Sequence, residues 1–389
     1  MRILALKPEG YVIPFIHVSM VKAFRSLGHE VINLPFPKGL REIRTLKPLA
    51  SKGRSCFFSL DLPRDEEMRE ILNDLHIILK NHWIIWFVDD PHGFAFPECC
   101  EPSRTIVFCW DGELTREIGA RGSWKGIPPI HLPLASDPGV FTPGADHSPM
   151  LFPGGVFVGS TAHPNRILDE AIMNSPGFEE EILALWKLWK SDLSQVGHKL
   201  IGNFLEEKKG IPSVSLPENP LACLWAHSAA HALGRIKRKE IVSAVIGEGG
   251  GVFGNRAWKE IAGNIYCGEA FYGPGLSRIY NASSFVLETR QAQSRTGLTQ
   301  RIFDAAACSV PVLAEHSPEL NEFFDLEDAV FSFRTINEAL ERKKEILSLP
   351  KHNRNAPAPR NRILANHTYR HRAARILEAV HHFFAASRA

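Results

Sequence analysis

Short apolar runs alternate with amphipathic stretches from the first residues onward. Residues 3–6 form an apolar run, residues 18–27 repeat apolar positions at helical spacing and stop at Gly28, and residues 31–34 are apolar again. This β-loop-α-β order predicts a parallel sheet whose first loop opens at the carboxyl edge of the strands. A helical pattern over residues 65–79 leads to the apolar run 83–88, which Asp89, Asp90 and Pro91 end abruptly. Such a change marks the exit of a buried strand. Residues 105–109 read as a further strand. Residues 131–135 lead into a passage rich in Pro, Gly and Asp at 137–155, where an interdomain connection is expected.

Beyond that passage, residues 156–158 read as a strand and 159–165 as a polar loop. Helical patterns over 166–190 and 220–239 follow, as either an insertion or a decorated crossover. The order then becomes regular. Strands are expected at 241–246, 285–287, 310–313 and 329–333, a Gly-rich loop at 247–254, and helices near 257–262, 277–281, 299–308, 319–324 and 336–348. Repetition of strand, polar loop and helix predicts a second parallel-sheet lobe. A basic helix over 360–384 carries Leu364, Ile376, Leu377, Val380 and Phe384, an apolar set suited to covering another surface.

Composition narrows the picture. With 389 residues, 44% hydrophobic and 23% charged, the chain exceeds one ordinary core and excludes disorder as a whole-chain description. Its 45 basic and 43 acidic residues nearly cancel, so specific nucleic-acid binding is not expected. Basic segments at Lys52 and Arg54 and from Arg235 to Lys239 read as solvated faces. Seven cysteines without CxxC spacing argue against a zinc or disulfide framework, adjacent Cys99 and Cys100 included. The opening MRILALKPEG reads as a first strand and not as a secretory segment, and the chain holds no apolar stretch of ~20 residues. A cytoplasmic location is the resulting expectation.

Several segments hold candidate chemistry. Glycines in EGGGVFGN, among them Gly254 beside Asn255, either bring backbone donors to an anion or make a tight connection; the spacing is neither GxGxxG nor a P-loop. In SRTGLTQRIFDAAACSVPVLAE, Gly297 allows close backbone approach and Thr299 caps the next helix. Arg301 and Asp304 lie about one turn apart on that helix. Asp304 is suited to a ribose, and Arg301 either to phosphate or to a local pair with Asp304. Asp89, Asp90 and His92 at the strand exit either position and deprotonate an acceptor hydroxyl or form an acidic strand cap. DDP is not read as a metal motif. His367 and His371 are read as helix-capping and packing residues.

Taken in order, FVGS at 157–160, YNASSFVLETR, RIFDAAACSVPVLAE and NHTYRHRAARIL resemble the CgeB-type group of spore maturation and glycosyltransferase-like proteins, with weaker similarity in WFVDDP and LPLASDP. The resemblance implies an α/β fold of GT-B type: two Rossmann-like lobes facing across a cleft, with additional helices. It implies an acceptor-side lobe over residues 1–150 and a nucleotide-sugar lobe over 156–365 with a helical insertion. A terminal helix at 366–389 packs back on the first lobe. Asp304 stands where the family's R-x-F-E-A pattern has Glu, Ser309 where A-C-G has Gly, and Thr296 where many relatives carry an earlier carboxylate.

The function so implied is sugar transfer from a nucleotide sugar, of unassigned base and sugar, to a hydroxyl-bearing small-molecule, glycan or protein acceptor. Alternatives are an inactive nucleotide- or glycan-binding protein of the same fold and a sugar-nucleotide epimerase or hydrolase. Asp89, Asp90 and His92 are the expected catalytic residues. Gly159, Ser160, Arg166, Gly254, Asn255, Thr296, Gly297, Arg301 and Asp304 are expected at the nucleotide. Neither a metal nor a tightly bound cofactor is expected.

Overall fold

The computed structural model describes residues 1–51, 55–62, 66–90, 102–120, 126–144, 149–161, 167–212, 219–324, 330–349 and 357–386. The chain divides into two compact units, Met1–Asp137 with Asn366–Ala389, and Pro138–Ala365.

The first unit contains β1 (Arg2–Leu6), α1 (Ile13–Ser26), β2 (Glu30–Leu34), α2 (Leu40–Ala50), β3 (Ser55–Leu60), α3 (Glu66–Leu79), β4 (His82–Phe87), β5 (Thr105–Cys109), α4 (Gly112–Gly119) and β6 (Ile130–His131). Its strands form one sheet in the order β2-β1-β3-β4-β5-β6, parallel at every pairing. β1, β3, β4 and β5 are buried over nearly their whole lengths, which is why they read as continuous apolar runs. Phe57 and Trp83 stack across β3 and β4 at 4.8 Å, and Trp86 donates its indole N–H to the Leu132 carbonyl at 3.0 Å. A buried indole needs such a partner.

The second unit contains β7 (Val156–Val158), α5 (Ile167–Met173), α6 (Phe178–Trp189), α7 (Gly197–Lys209), α8 (Pro220–Val245), β8 (Gly251–Phe253), α9 (Trp258–Ala262), β9 (Tyr266–Gly268), α10 (Pro274–Asn281), β10 (Val286–Glu288), α11 (Gln300–Ala307), β11 (Val312–Glu315), α12 (Pro318–Phe323), β12 (Val330–Phe333), α13 (Ile336–Ser348) and α14 (Pro357–Asn366). Its sheet has the order β12-β11-β10-β7-β8-β9, again wholly parallel. α5 to α8 together form the crossover from β7 to β8, so the helical region is a decorated crossover. Trp186, Trp189, Trp225, Ile201 and Leu205 of these helices share one core with Phe157, Val252 and Leu287 of the sheet.

Two sequence expectations fail in this unit. Residues 241–246 are not a strand but the end of α8, since Ile241, Val242, Val245 and Ile246 are buried while Ser243 and Ala244 are exposed, a helical period. The strand lies instead inside the Gly-rich segment, where a Cβ on Gly251 would come within 2.8 Å of the Phe152 ring. Only glycine permits that approach.

The last segment is also two helices, not one. α14 is followed by α15 (Tyr369–Ala386), which lies against α1 in the first unit and buries Ala373, Ile376 and Val380. His371 accepts from the Thr368 backbone N–H at 3.3 Å, and His367 Nδ1 lies 2.9 Å from an Arg372 guanidinium that donates to the Leu134 carbonyl. The HTYRHR histidines thus cap and pack, as their spacing suggested.

Candidate functional site

The second sheet runs outward from the neighbours β7 and β10, so its strand order reverses between them. At such a reversal the connections leave on opposite faces and a crevice opens at the carboxyl ends of the strands. Those ends are Val158–Gly159 and Glu288–Thr289. The Gly159 carbonyl accepts from the Trp258 indole at 2.7 Å, and a Cβ on Gly159 would lie 2.8 Å from Arg301 Nη2. A Cβ on Gly254 would approach the Gly159 carbonyl oxygen to 2.1 Å. Asn255 grips the same turn, accepting from the Thr161 N–H at 2.9 Å and donating to Thr161 Oγ1 at 3.0 Å. Gly254 and Asn255 therefore shape the loop after β7. Ser160 is exposed there, and its carbonyl accepts from Arg238 Nη1 at 3.0 Å.

Behind this loop lies a buried charge cluster. Lys237 pairs with Glu315 at 3.0 Å, with both side chains fully enclosed. Arg290 reaches the same carboxylate at 3.3 Å and donates its backbone N–H to it at 3.2 Å. Arg301 lies 3.5 Å from Glu288, donates Nε–H to the Val158 carbonyl at 2.7 Å and stands over the Phe157 ring. Four cations, Lys237, Arg238, Arg290 and Arg301, thus meet two carboxylates, Glu288 and Glu315. Burial, more than any neighbouring charge, raises the Glu288 carboxyl above its usual range and moves it toward the neutral acid. Burial likewise holds Lys237 down to about 8 and Arg238 down to about 10, with the nearby Arg301 adding to the latter. The surplus is positive. Arg238 Nε, Arg301 Nη1 and Glu288 Oε2 are buried without a hydrogen-bond partner among the described residues. Buried polar atoms are rarely left so, and these point to a ligand.

The helix after β10 corrects two expectations. Thr299 stands at the N-cap of α11 with extended backbone, yet its hydroxyl donates to Glu288 Oε1 at 3.0 Å and makes no cap bond. Arg301 turns to Glu288, not to Asp304. Asp304 is fully buried, and its oxygens accept from Tyr272 Oη at 2.7 Å and Gln300 Nε2 at 3.0 Å. A ribose hydroxyl reaching this carboxylate would have to displace one of those donors. Thr296 donates to Glu319 at 2.8 Å, and Gly297 is buried in the turn that follows. Ser309 keeps the left-handed backbone that glycine favours, at φ 59°. Its N–H and that of Val310 close the helix onto Ala306 and Ala305 in a Schellman pattern.

In the first unit Asp89 and Asp90 lie where β4 ends. Asp89 accepts the Asp90 N–H at 2.8 Å, and Asp61, at the end of β3, accepts the Val88 N–H at 2.8 Å. Asp61 and Asp89 thus hold the backbone at this strand exit. His92 and Arg166 lie outside the described residues. Among the described residues no group of three or more His, Cys, Asp or Glu is placed to hold a metal ion, and no helix is long and apolar enough to cross a membrane.

Glu288, Arg290 and Glu315 escaped the sequence reading, and Lys237 and Arg238 fall in the basic segment expected to be a solvated face, an expectation their burial on α8 overturns. Lys237 and Glu315 are 78 positions apart, a separation that leaves no spacing signal. The visible hints were polar residues, Glu288 and Glu315, ending apolar strands.

Residues 229–378, less than half of the chain, match a family model described as glycosyl transferase-like. Comparison with curated proteins finds no match. Solved structures that resemble the fold include sucrose-phosphate synthase from Thermosynechococcus elongatus, with 12% identity, TM-score 0.54 and 99% of both chains covered. Anabaena Alr3699/HepE in complex with UDP-glucose gives 11% identity, TM-score 0.51, 98% of this chain and 99% of that one. An α-glucosyltransferase in complex with UDP and a 13-mer DNA gives 12% identity, TM-score 0.54, 98% of this chain and 99% of that one. With two six-stranded parallel sheets, each flanked by helices, the chain has the GT-B type of fold.

Proposed function

We propose that the chain transfers a sugar from a nucleoside diphosphate sugar to a hydroxyl-bearing acceptor, with the diphosphate at the carboxyl ends of β7 and β10. The observation that carries this reading is the positive surplus of Lys237, Arg238, Arg290 and Arg301 over Glu288 and Glu315, buried at the strand-order reversal. A cluster with more buried cations than anions is completed by a dianion, and fixed cations in a dry site stabilise charge developing on a leaving diphosphate. The glycosyl transferase-like match over residues 229–378 covers these residues, and the UDP-glucose complex of Alr3699/HepE supports the ligand class.

The test is calorimetric titration with nucleosides and nucleoside diphosphates of several bases, using the full chain and the Arg238→Met and Arg301→Met variants. Each variant should lose ~10- to 150-fold in affinity for the preferred diphosphate, the equivalent of one charged hydrogen bond, with the nucleoside unaffected. Equal losses for both ligands, or no diphosphate binding by the folded wild type, would refute the assignment. Release of free diphosphate from the nucleotide sugar in the presence of an acceptor extract then tests turnover.

A further inference from the structure

Helix α8 carries a second constellation, independent of the anion site, in the segment HSAAH. His227 and His231 are four residues apart, so they share a helix face. Their imidazoles converge, with the two Nε2 atoms 3.1 Å apart, centroids 4.5 Å apart and ring planes at 73°. The helix beneath is firmly seated, because Ala226, Ser228, Ala229 and Ala230 are buried while the two histidines are half-buried.

We propose that His227 and His231 form a bidentate site for a divalent d-block cation of the zinc, nickel or copper type. Imidazole nitrogens bind zinc at about 2.0–2.1 Å, and two such bonds with the observed 3.1 Å between donors subtend roughly 100° at the metal. That angle lies between octahedral and tetrahedral values, so the donor separation already suits a chelate and the rings need only turn to aim both lone pairs at the ion. Cys223 lies four positions earlier on the same stripe, but it is eight residues from His231, a helical rise of about 12 Å, too far for it to join both histidines on one ion. The remaining positions are left to water or to a ligand oxygen, the arrangement of an open metal site.

Without metal, an Nε2–H of one ring is shared with Nε2 of the other. Chelation needs both lone pairs, so that proton moves to Nδ1 of its ring, which stays neutral.

The experiment is titration of the full, chelator-treated chain with zinc chloride. The wild type should bind one equivalent, and His227→Gln and His231→Gln should each weaken it about 100-fold, because a tethered second ligand acts at high effective concentration. His382→Gln, an exposed histidine on α15, should leave it unchanged. Zinc should raise the thermal midpoint of the wild type and not of the two variants, since only the folded helix holds the pair in register. Copper(II) bound to the wild type should show magnetic coupling to two nitrogens. Zinc affinity equal in wild type and both variants, a copper spectrum without paired nitrogens, or no binding at millimolar zinc would overturn the assignment.

Discussion

Glu315 is the residue on which the buried cluster depends most heavily, and Glu315→Gln tests that dependence. The substitution preserves shape but leaves Lys237 and Arg290 facing an amide at 3.0 and 3.3 Å. Breaking a buried ion pair from one side costs about 3–5 kcal/mol. The lysine share is bounded. Burial already holds Lys237 down to about 8 from 10.5 despite the attraction of Glu315. Without that attraction the amine is depressed further and sheds its proton more readily. From a value near 8 this adds about 1 kcal/mol at about pH 7. The rest falls on Arg290, whose guanidinium cannot deprotonate.

The pH dependence follows from proton binding. A lysine depressed in the folded state binds fewer protons there than when unfolded, so stability rises with pH above its folded value. In the wild type this rise starts near 8, whereas in Glu315→Gln, where the amine is depressed further, it starts at lower pH. The deficit is therefore larger at about pH 6 than at about pH 8. Adding Lys237→Met should recover about 2 kcal/mol or more, because an apolar side chain needs neither proton nor partner. Urea unfolding followed by tryptophan fluorescence is the assay, since Lys237 Nζ lies 4.2 Å from the Trp189 ring centroid. A deficit below about 1 kcal/mol, an equal deficit at both pH values, or a double variant weaker than the single one would refute the reasoning.

Two further outcomes are expected. Ser309→Gly should raise stability by about 1 kcal/mol in urea unfolding, since Ser309 holds φ 59° at the α11 terminus and glycine removes that strain; a less stable variant would show that the Ser309 side chain matters more than its backbone. Asp304→Ala should cost about 2–3 kcal/mol by leaving the Tyr272 hydroxyl and the Gln300 amide without their acceptor, with nucleoside affinity unchanged. An unchanged melting profile with weaker nucleoside binding would instead place Asp304 at the ribose.

Strands buried on both sides were the most legible elements, because runs such as Trp83–Phe87 and Val330–Phe333 have few polar interruptions. Helix Ile336–Ser348 was legible to the residue, fixed by Thr335, whose side chain accepts the Glu338 N–H. β3 was not: Ser55, Cys56 and Ser59 dilute the apolar pattern of SCFFSL, although all six residues are buried. Helix α2 was hidden by its low apolar content and by Pro48, and α7 by Gly197 and Gly202 and the charged run Glu206–Lys209. The β-branched end of α8 imitated a strand because alternation and helical period agree over so few residues. At the site, local features such as Gly254 and Arg301 could be noticed from their neighbours. The partners that decide what those residues do, Glu288 for Thr299 and Glu315 for Lys237, lie on separate elements and become visible only once the sheet has set its register.

The discontinuity of the first unit bears on how the protein is made. Its β-sheet is encoded before residue 138, but α15, which covers α1 and places Phe383 against His82 at 5.0 Å, is encoded after residue 365. During synthesis Phe24 can pack on Phe58 of β3, 5.2 Å away in the finished protein, while the side of α1 that α15 covers waits for that helix. Residues 138–365 form one uninterrupted stretch and face no such delay. The first unit is thus completed only after residues 138–365 have been made, and for that interval the nascent chain carries an unfinished apolar surface of the kind chaperones bind.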